Sequence, residues 1–269
     1  REVEGAQPGG EVALSLTVET QEIRVLNDIP THNLEVIFPG QQRPEEIVLI
    51  GAHYDTVTLS PGADDNASGV AALLEIARTL SQPDASALDR TVRLVFFVNE
   101  EAPFYQDEGM GSIAYARRSR ARGEQLVGVL SLDMLGYYDD RPGTQRSPPI
   151  YRWLHWPGTD AGNFLLIIGG FRARPFVQQA VGLFRDHTAM PCRGIAAEPE
   201  WAGSDRSDHW SFHVEGYPGA VVTDTGVARN PHYHQQTDTL DTLDLNRLAR
   251  VTAGLVTVTQ RLATLDPSR

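Results

Sequence analysis

Hydrophobic residues follow two different spacings on either side of residues 51–69. Upstream, residues 47–50 form a continuous apolar run that is short enough for a buried strand. Downstream, apolar residues recur at helical spacing, at Val70, Leu73, Leu74, Ala77 and Leu80. His53 therefore follows a predicted strand, and Asp65 precedes a predicted helix. In open α/β sheets, ligands bind where strand ends and helix starts meet.

Similar patterns predict the remaining elements. Alternating apolar residues at 12–20 and 33–38 indicate antiparallel edge strands, and residues 91–98 indicate a central strand that is buried on both faces. Further strands are predicted at 126–132, 164–168 and 220–223, and helices at 111–122, 175–187 and 245–262. Because strands that alternate with helices pair in parallel, we predict an α/β fold in which strand ends share one edge.

Polar residues able to bind a metal stand at the ends of three predicted central strands. These ends are His53, the pair Glu100-Glu101, and Asp133. Alone, each has an ordinary alternative, such as a hydrogen-bonded loop residue, a solvated pair or a turn. Their common position at one sheet edge is what indicates a divalent metal site.

Two zinc ions would match the charge of this set once Asp65 and His234, from the polar loop 230–239, are added. Three carboxylates and a bridging hydroxide balance the four positive charges, as a buried cleft requires. Metal binding would lower the pKa of the bridging water towards neutrality. Glu100 lies beside the presumed ligand Glu101 but faces elsewhere, so it could take the proton of that water. Asp55 either orients the imidazole of His53 or caps a turn.

The composition excludes several other kinds of function. The formal charge of −12 and the pI of about 5.1 argue against nucleic acid or an anionic membrane as a partner. All 23 basic residues are arginine, which excludes lysine Schiff bases and a Walker lysine. The single Cys192 cannot form an internal disulfide or a cysteine-based zinc site. No run reaches the roughly 20 apolar residues that a membrane span needs.

We expect one catalytic domain over residues 1–269, with edge strands in 1–44 and the motif-bearing core in 45–262. The chain begins with Arg1 rather than Met, which fits a processed or trimmed N-terminus and leaves export open. Residues 137–163 are irregular and rich in Pro, Gly, Arg and aromatic residues. They form either the wall of a pocket or a solvated excursion.

Six short motifs follow one another between about residues 45 and 262. They are Gly51-Ala52-His53-Tyr54-Asp55, residues 61–69 (PGADDNASG), Asn99-Glu100-Glu101, Leu132-Asp133-Met134, Ser207-Asp208-His209, and His234 followed by Thr237-Asp238-Thr239. In this order they resemble the co-catalytic two-zinc exopeptidases, which include bacterial leucyl aminopeptidases, aminopeptidases S and Y, and plasma glutamate carboxypeptidase. The resemblance implies a mixed sheet of about eight strands between helices.

The resemblance also implies roles for individual residues. It places His53 and Asp133 on one zinc, Glu101 and His234 on the other, and Asp65 between the two ions. Glu100 would act as the general base and then as the general acid. The Asp65–Asn66 peptide bond would be cis.

Departures from the family pattern leave the substrate and the metal count open. Secreted relatives often carry a disulfide at the positions of Ala202 and Arg206, so the pocket loop would be held by packing alone. Residues 102–110 are longer than in simple aminopeptidases and resemble the glutaminyl cyclases, which are single-zinc relatives. His209 could polarise the substrate carbonyl or be a buried structural histidine.

Three functions therefore remain at this point. The leading hypothesis is an aminopeptidase that hydrolyses the N-terminal bond of peptides with a free N-terminus, held by acidic groups near the zinc pair. The second is a glutaminyl-peptide cyclotransferase that uses a single zinc. The third is a non-catalytic, receptor-like binding domain, which the presence of Glu100 and all five candidate ligands disfavours. Side-chain preference and oligomeric state stay open.

Overall fold

A mixed eight-stranded sheet runs through this computed structural model, which describes residues 17–82, 85, 87–146, 160–198 and 205–264. Its strands are β1 (Thr17–Val25), β2 (Ile29–Phe38), β3 (Arg43–His53), β4 (Arg90–Phe97), β5 (Gln125–Leu132), β6 (Leu165–Gly169), β7 (Cys192–Ala196) and β8 (Gly219–Thr223). The α-helices within these residues are α1 (Gly69–Leu80), α2 (Gly111–Ala121), α3 (Arg174–His187), α4 (His209–Val214) and α5 (Leu245–Ala263). The predicted α/β class and the strand number are confirmed.

The strand order is β1-β2-β4-β3-β5-β8-β6-β7. The four central strands β4, β3, β5 and β8 pair in parallel, and β1 and β2 add to them as an antiparallel edge. Both features are as predicted. Strand β6 instead runs antiparallel to β8, and β7 pairs parallel to β6. No α-helix is described between β5 and β6, so the helical crossover that enforces parallel pairing is missing from the described part of that connection.

Successive residues of the central strands pack on opposite faces of the sheet. Val48 and Ile50 belong to a buried cluster with residues of α1, α3 and α5. Leu49 and Phe97 belong to a second cluster with residues of α2 and α4, including Tyr115. Burying one large apolar side chain contributes about 1.5–3 kcal/mol, so the two clusters hold the sheet rigidly as a middle layer.

Some element bounds differ from the sequence-based predictions. Strand β1 continues to Val25, beyond the predicted end at residue 20, and residues 12–16 lie outside the described part. Strand β7 and helix α4 were not predicted, because both are short and lack a clear hydrophobic period. Among the described residues, no helix has the length and hydrophobicity that a membrane crossing requires.

Candidate active site

Three parallel neighbours of the sheet end in the residues that the sequence singled out. His53 is the last residue of β3, Asp133 follows β5 directly, and Glu100-Glu101 stand shortly after β4. Because β4, β3 and β5 are adjacent and parallel, their carboxyl ends lie side by side. The predicted coincidence of strand ends is thus present in the fold.

Asp65 reaches this edge from an irregular turn at residues 63–68, just before α1. The Asp65–Asn66 peptide bond is cis, as the family resemblance implies. Gly62 has a φ of 68°, and a Cβ there would lie 2.7 Å from the backbone oxygen of Asp65. A Cβ on Gly69 would lie 2.4 Å from Asn66 Oδ1. Glycine is therefore required on both sides of the turn that presents Asp65.

Two groups of three side chains that could hold a metal ion meet at Asp65. One group is His53, Asp65 and Asp133, and the other is Asp65, Glu101 and His234; within each, the ligand atoms lie within 4.8 Å of one another. Asp65 Oδ1 is 3.4 Å from His53 Nε2, whereas Asp65 Oδ2 is 3.1 Å from His234 Nε2. The two oxygens of one carboxylate thus face different donor groups. We call these five residues the donor cluster.

The chemistry of the donor cluster fits zinc. Imidazole nitrogens and carboxylate oxygens are ligands that zinc takes in proteins. His234 Nε2 lies 3.2 Å from Glu101 Oε2, yet His234 Nε2 and Glu101 Oε1 are buried without a hydrogen-bond partner among the described residues. An imidazole nitrogen and a carboxylate oxygen each offer a lone pair, so two such atoms that face each other without a hydrogen bond are suited to binding one cation.

The ionisable groups of the site shift one another strongly. Burial raises the pKa of Glu100 well above its usual value, and the charges of Asp133 and Asp208 add to this effect. Asp65 and Glu101 raise the pKa of His234 to about 9. Burial opposes ionisation of Asp65, but His234 and His53 outweigh it and hold the pKa of Asp65 at about 2. Such displaced pKa values are typical of functional sites.

Asp55 differs in detail from the role predicted for it. The Nδ1 atom of His53 lies 3.1 Å from the backbone oxygen of Asp55 and 3.7 Å from its carboxylate. The carboxylate accepts hydrogen bonds from the backbone N–H groups of Glu100, at 3.2 Å, and Glu101, at 3.1 Å. Asp55 thus contacts the imidazole through its backbone and fixes the end of β4 through its side chain.

Asp238 holds the Asp65 turn in the same way, a role that was not predicted for its motif. Its carboxylate accepts hydrogen bonds from the N–H groups of Asp64, at 2.9 Å, and Asp65, at 3.1 Å. Asp64 itself is fully buried and accepts hydrogen bonds from the Gly136 N–H and the Asn230 side chain. Asp64 therefore supports the turn from behind, and Asp65 is the residue between the two donor groups.

Tyr233 is a further residue of the site that sequence reasoning missed. Its ring stacks on that of His234, with centroids 3.8 Å apart and planes at 20°. Burial raises the pKa of Tyr233, and so do the charges of four carboxylates of the site, with Asp65 and Asp133 the strongest. Its hydroxyl is therefore a protonated hydrogen-bond donor close to the acids. Only its position before a candidate ligand could have indicated this.

His209 lies apart from both donor groups. It is fully buried, burial lowers its pKa to about 3, and its ring nitrogens have no hydrogen-bond partner among the described residues. Its neighbour Asp208 is also fully buried and is close enough for its charge to raise the pKa of Glu100. Within the Ser-Asp-His motif, the aspartate is thus the residue that affects the site. A role for His209 towards the substrate stays a prediction.

The loop beside the site is held by more than packing. The hydroxyl of Tyr105, in the long 102–110 segment, donates a hydrogen bond to the backbone oxygen of Asp205, and the Gln106 amide donates to the same oxygen at 3.3 Å. The expectation of packing alone is therefore wrong for the described side of this loop. Ala202 lies outside the described residues, as do residues 147–159 of the predicted pocket wall.

Comparison with known proteins points to one family. Residues 33–259 match the family described as "Peptidase family M28". The uncharacterized protein YfbL of Escherichia coli (strain K12) is 36% identical over 222 residues, which are 79% of this chain and 66% of YfbL. The probable leucine aminopeptidase 1 of Trichophyton verrucosum is 27% identical over 245 residues, which are 84% of this chain and 57% of that protein. The chain thus spans less than two thirds of the length of these relatives.

Solved structures share the fold. The LapA aminopeptidase of Legionella pneumophila has a TM-score of 0.68 at 21% identity, covering 93% of this chain and 59% of LapA. BSAP, a zinc aminopeptidase from Bacillus subtilis, has a TM-score of 0.60 at 20% identity, covering 90% and 52%. The glutaminyl cyclase of Porphyromonas gingivalis has a TM-score of 0.62 at 20% identity, covering 92% and 84%.

Proposed function

Because the chain belongs to peptidase family M28, we propose that it is a zinc-dependent aminopeptidase acting on peptides with a free N-terminus. The observation that carries the proposal is the position of Asp65, whose two oxygens each face a separate donor group. The leucine aminopeptidase relatives and the zinc aminopeptidase of B. subtilis support the same activity. The match shows that the chain belongs to the family, and its activity is the proposal.

The five residues of the donor cluster would hold two zinc ions. His53 and Asp133 would bind one ion through Nε2 and a carboxylate oxygen, Glu101 and His234 would bind the other, and Asp65 would bridge them. When bound, zinc supplies a Lewis acid that lowers the pKa of water and polarises the substrate carbonyl. The remaining steps fall to side chains of the chain itself.

Glu100 is the residue placed to move protons. Its Oε2 atom is 4.0 Å from His53 Nε2, so it faces the donor cluster without belonging to either group of three. Its raised pKa makes it a stronger base than a solvated carboxylate. It would take a proton from the attacking water at this oxygen and pass it to the nitrogen of the leaving peptide.

Tyr233 would assist by donating a hydrogen bond to the substrate carbonyl oxygen. Its raised pKa keeps the phenol protonated at neutral pH, and stacking on His234 fixes the direction of the ring. A fixed donor that faces the place where negative charge develops lowers the barrier without reorganisation. The acids of the donor cluster, with Glu101 among them, would hold the α-amine of the substrate.

Metal content and substrate choice test this function together. We expect two zinc ions per chain after mild purification, and release of p-nitroaniline from leucine p-nitroanilide. One zinc per chain, with cyclisation of N-terminal glutaminyl peptides and no anilide hydrolysis, would favour the cyclotransferase that the 102–110 segment and the P. gingivalis structure suggest. Zinc binding with neither reaction would favour a receptor-like domain.

A further inference from the structure

A concave surface lies between helix α3 and strand β7. It encloses about 880 Å³, which is within the usual range for ligand clefts, and none of its lining residues belongs to the candidate active site. Helix α3 connects the parallel strands β6 and β7, so it runs antiparallel to β7. Arg174 therefore lies at the Ala196 end of the cleft, and Arg185 at the Cys192 end. We call this cleft the edge groove.

The edge groove follows the open edge of the sheet. Strand β7 is last in the strand order, and no described strand pairs with its outer side. Cys192, Arg193 and Gly194 all line the groove, although successive side chains of a strand point to opposite faces. A cleft that contacts all three must run along the strand edge, where the backbone is accessible.

The register of β7 identifies which backbone groups face the groove. The Leu165 N–H donates to the Pro191 oxygen at 2.8 Å, and the Ala197 N–H donates to the Gly169 oxygen at 3.0 Å. Odd-numbered residues of β7 therefore direct their backbone groups towards β6, and even-numbered residues direct theirs outward. The Cys192 oxygen faces outward accordingly, since the Arg185 guanidinium donates to it at 2.6 and 2.8 Å. The next outward groups belong to Gly194 and Ala196.

The groove is positively charged in a chain whose formal charge is −12. Its described lining contains Arg174, Arg185 and Arg193 and no acidic residue. Partial burial and the charge of Arg185 together lower the pKa of Arg193, so these two cations lie close to each other. Arg174 forms no ion pair with any described residue. Concentrated cations in an acidic protein favour an anionic partner.

We propose that the edge groove binds an extended acidic segment of a partner protein, which adds to β7 as a further strand. Arg174 and Arg185 are about 16 Å apart along the helix axis, given the 1.5 Å rise per residue. A single small anion cannot contact both ends, whereas about five residues of extended peptide span that length. The segment would pair with the outward backbone groups of Gly194 and Ala196, and its carboxylates would meet the arginines.

A labelled peptide tests the proposal on the zinc-loaded full chain. The probe is a seven-residue peptide of alternating Glu and Val, acetylated at its N-terminus so that an aminopeptidase cannot degrade it, and followed by fluorescence anisotropy. We expect Arg174→Gln to weaken its binding at least about fivefold, through loss of one charge-assisted contact. Arg120→Gln, an exposed arginine on α2, is the matched control and should leave binding unchanged. Replacing Glu by Gln in the peptide should abolish binding.

Strand addition is separated from simple anion binding by two further measurements. Ala196→Pro removes an outward N–H from an edge strand, where proline is tolerated, and should weaken binding at least about tenfold. A peptide N-methylated at alternate residues should bind equally poorly to the unaltered protein, which covers the case of a misfolded variant. A variant counts as folded when its rate of leucine p-nitroanilide hydrolysis and its melting temperature equal those of the unaltered protein. The proposal is overturned if the peptide does not bind, if the Gln peptide binds as well, or if inorganic phosphate displaces the peptide while both backbone changes have no effect.

Discussion

Two buried charged clusters lie on this sheet, and their charges are balanced in different ways. The donor cluster at the strand ends contains three carboxylates and two histidines. The other cluster, which we call the ion-pair cluster, lies between the sheet and α2. Its members are Glu35, Arg93, Tyr115, Arg118 and Glu124. Both are largely hidden from solvent, so burial alone does not distinguish a functional from a structural cluster.

The difference lies in the balance of charge. In the ion-pair cluster, two acids face two arginines: Arg93 donates to both oxygens of Glu124, at 3.0 and 3.2 Å, and Arg118 donates to Glu35 at 3.1 Å. The donor cluster has no arginine among its described neighbours within ion-pair distance, and Glu100 adds a further acid to it. Its two histidines can offset the charge of at most two of these four acids, and unbalanced buried charge is costly, so the donor cluster needs cations from outside the chain.

Removing metal should have the largest effect and should act on the donor cluster alone. Chelation is expected to abolish hydrolysis of leucine p-nitroanilide and to lower the melting temperature, because Asp65, Glu101 and Asp133 repel one another once the cations leave. Activity assays and thermal melts with added zinc should show recovery of both properties, and zinc-saturated chelator is the control. Full activity and stability in metal-free protein would show that the donor cluster is balanced without cations.

Replacing the proton carrier should slow the reaction while leaving the metals in place. For Glu100→Gln we expect kcat to fall at least about a hundredfold, since general acid–base catalysis contributes about that much or more. Metal content should stay at the level of the unaltered protein, because Glu100 belongs to neither donor group. Steady-state kinetics and elemental analysis measure the two quantities. Near-normal turnover with both metals bound would rule out Glu100 as the base.

The ion-pair cluster should respond in stability and not in catalysis. Glu35→Gln leaves Arg118 without its described acidic partner, and breaking a buried pair costs about 3 kcal/mol or more. The expected result is a lower free energy of unfolding in denaturant titrations, with kcat unchanged at temperatures where the variant is folded. A loss of kcat without a loss of stability would show that the ion-pair cluster acts in catalysis and does not stabilise the fold.

The donor cluster could be predicted from the sequence because its residues stand next to strands and helices that short stretches of sequence identify. His53 and Asp133 each follow an apolar run that identifies a buried strand, and parallel pairing of those strands brings their ends together. Asp65 precedes a helix whose period is clear. These residues need only the order of strands and helices to be placed at one edge.

The ion-pair cluster could not be predicted, because it depends on strand register and partner choice. Strand β2 pairs with β4, and Ile37 lies opposite Arg93 while Glu35 lies opposite Val95. Glu35 and Arg93 are therefore diagonal neighbours on one face, a relation that no local pattern reports. The same limit applies to Tyr233, whose direction is set by stacking on His234, and to β7, which is too short to show a period.

A matched pair of tyrosines, one at each cluster, gives the comparison with the smallest expected effects. Tyr233 and Tyr115 both carry a phenol with a raised pKa beside buried acids. The hydroxyl of Tyr115 donates a hydrogen bond to Glu35. Glu35 keeps its arginine partners without it, so Tyr115→Phe should cost about 1 kcal/mol of stability and leave kcat unchanged.

Tyr233 lies beside the donor cluster, where its ring stacks on His234. None of the described hydrogen bonds joins its hydroxyl to an acid. Its donor is therefore available to a substrate carbonyl, and Tyr233→Phe should lower kcat about tenfold or more with little change in stability. Kinetics and denaturant titrations on both variants decide the matter: if the two substitutions have the same effect on kcat, the phenol of Tyr233 does not act on the substrate.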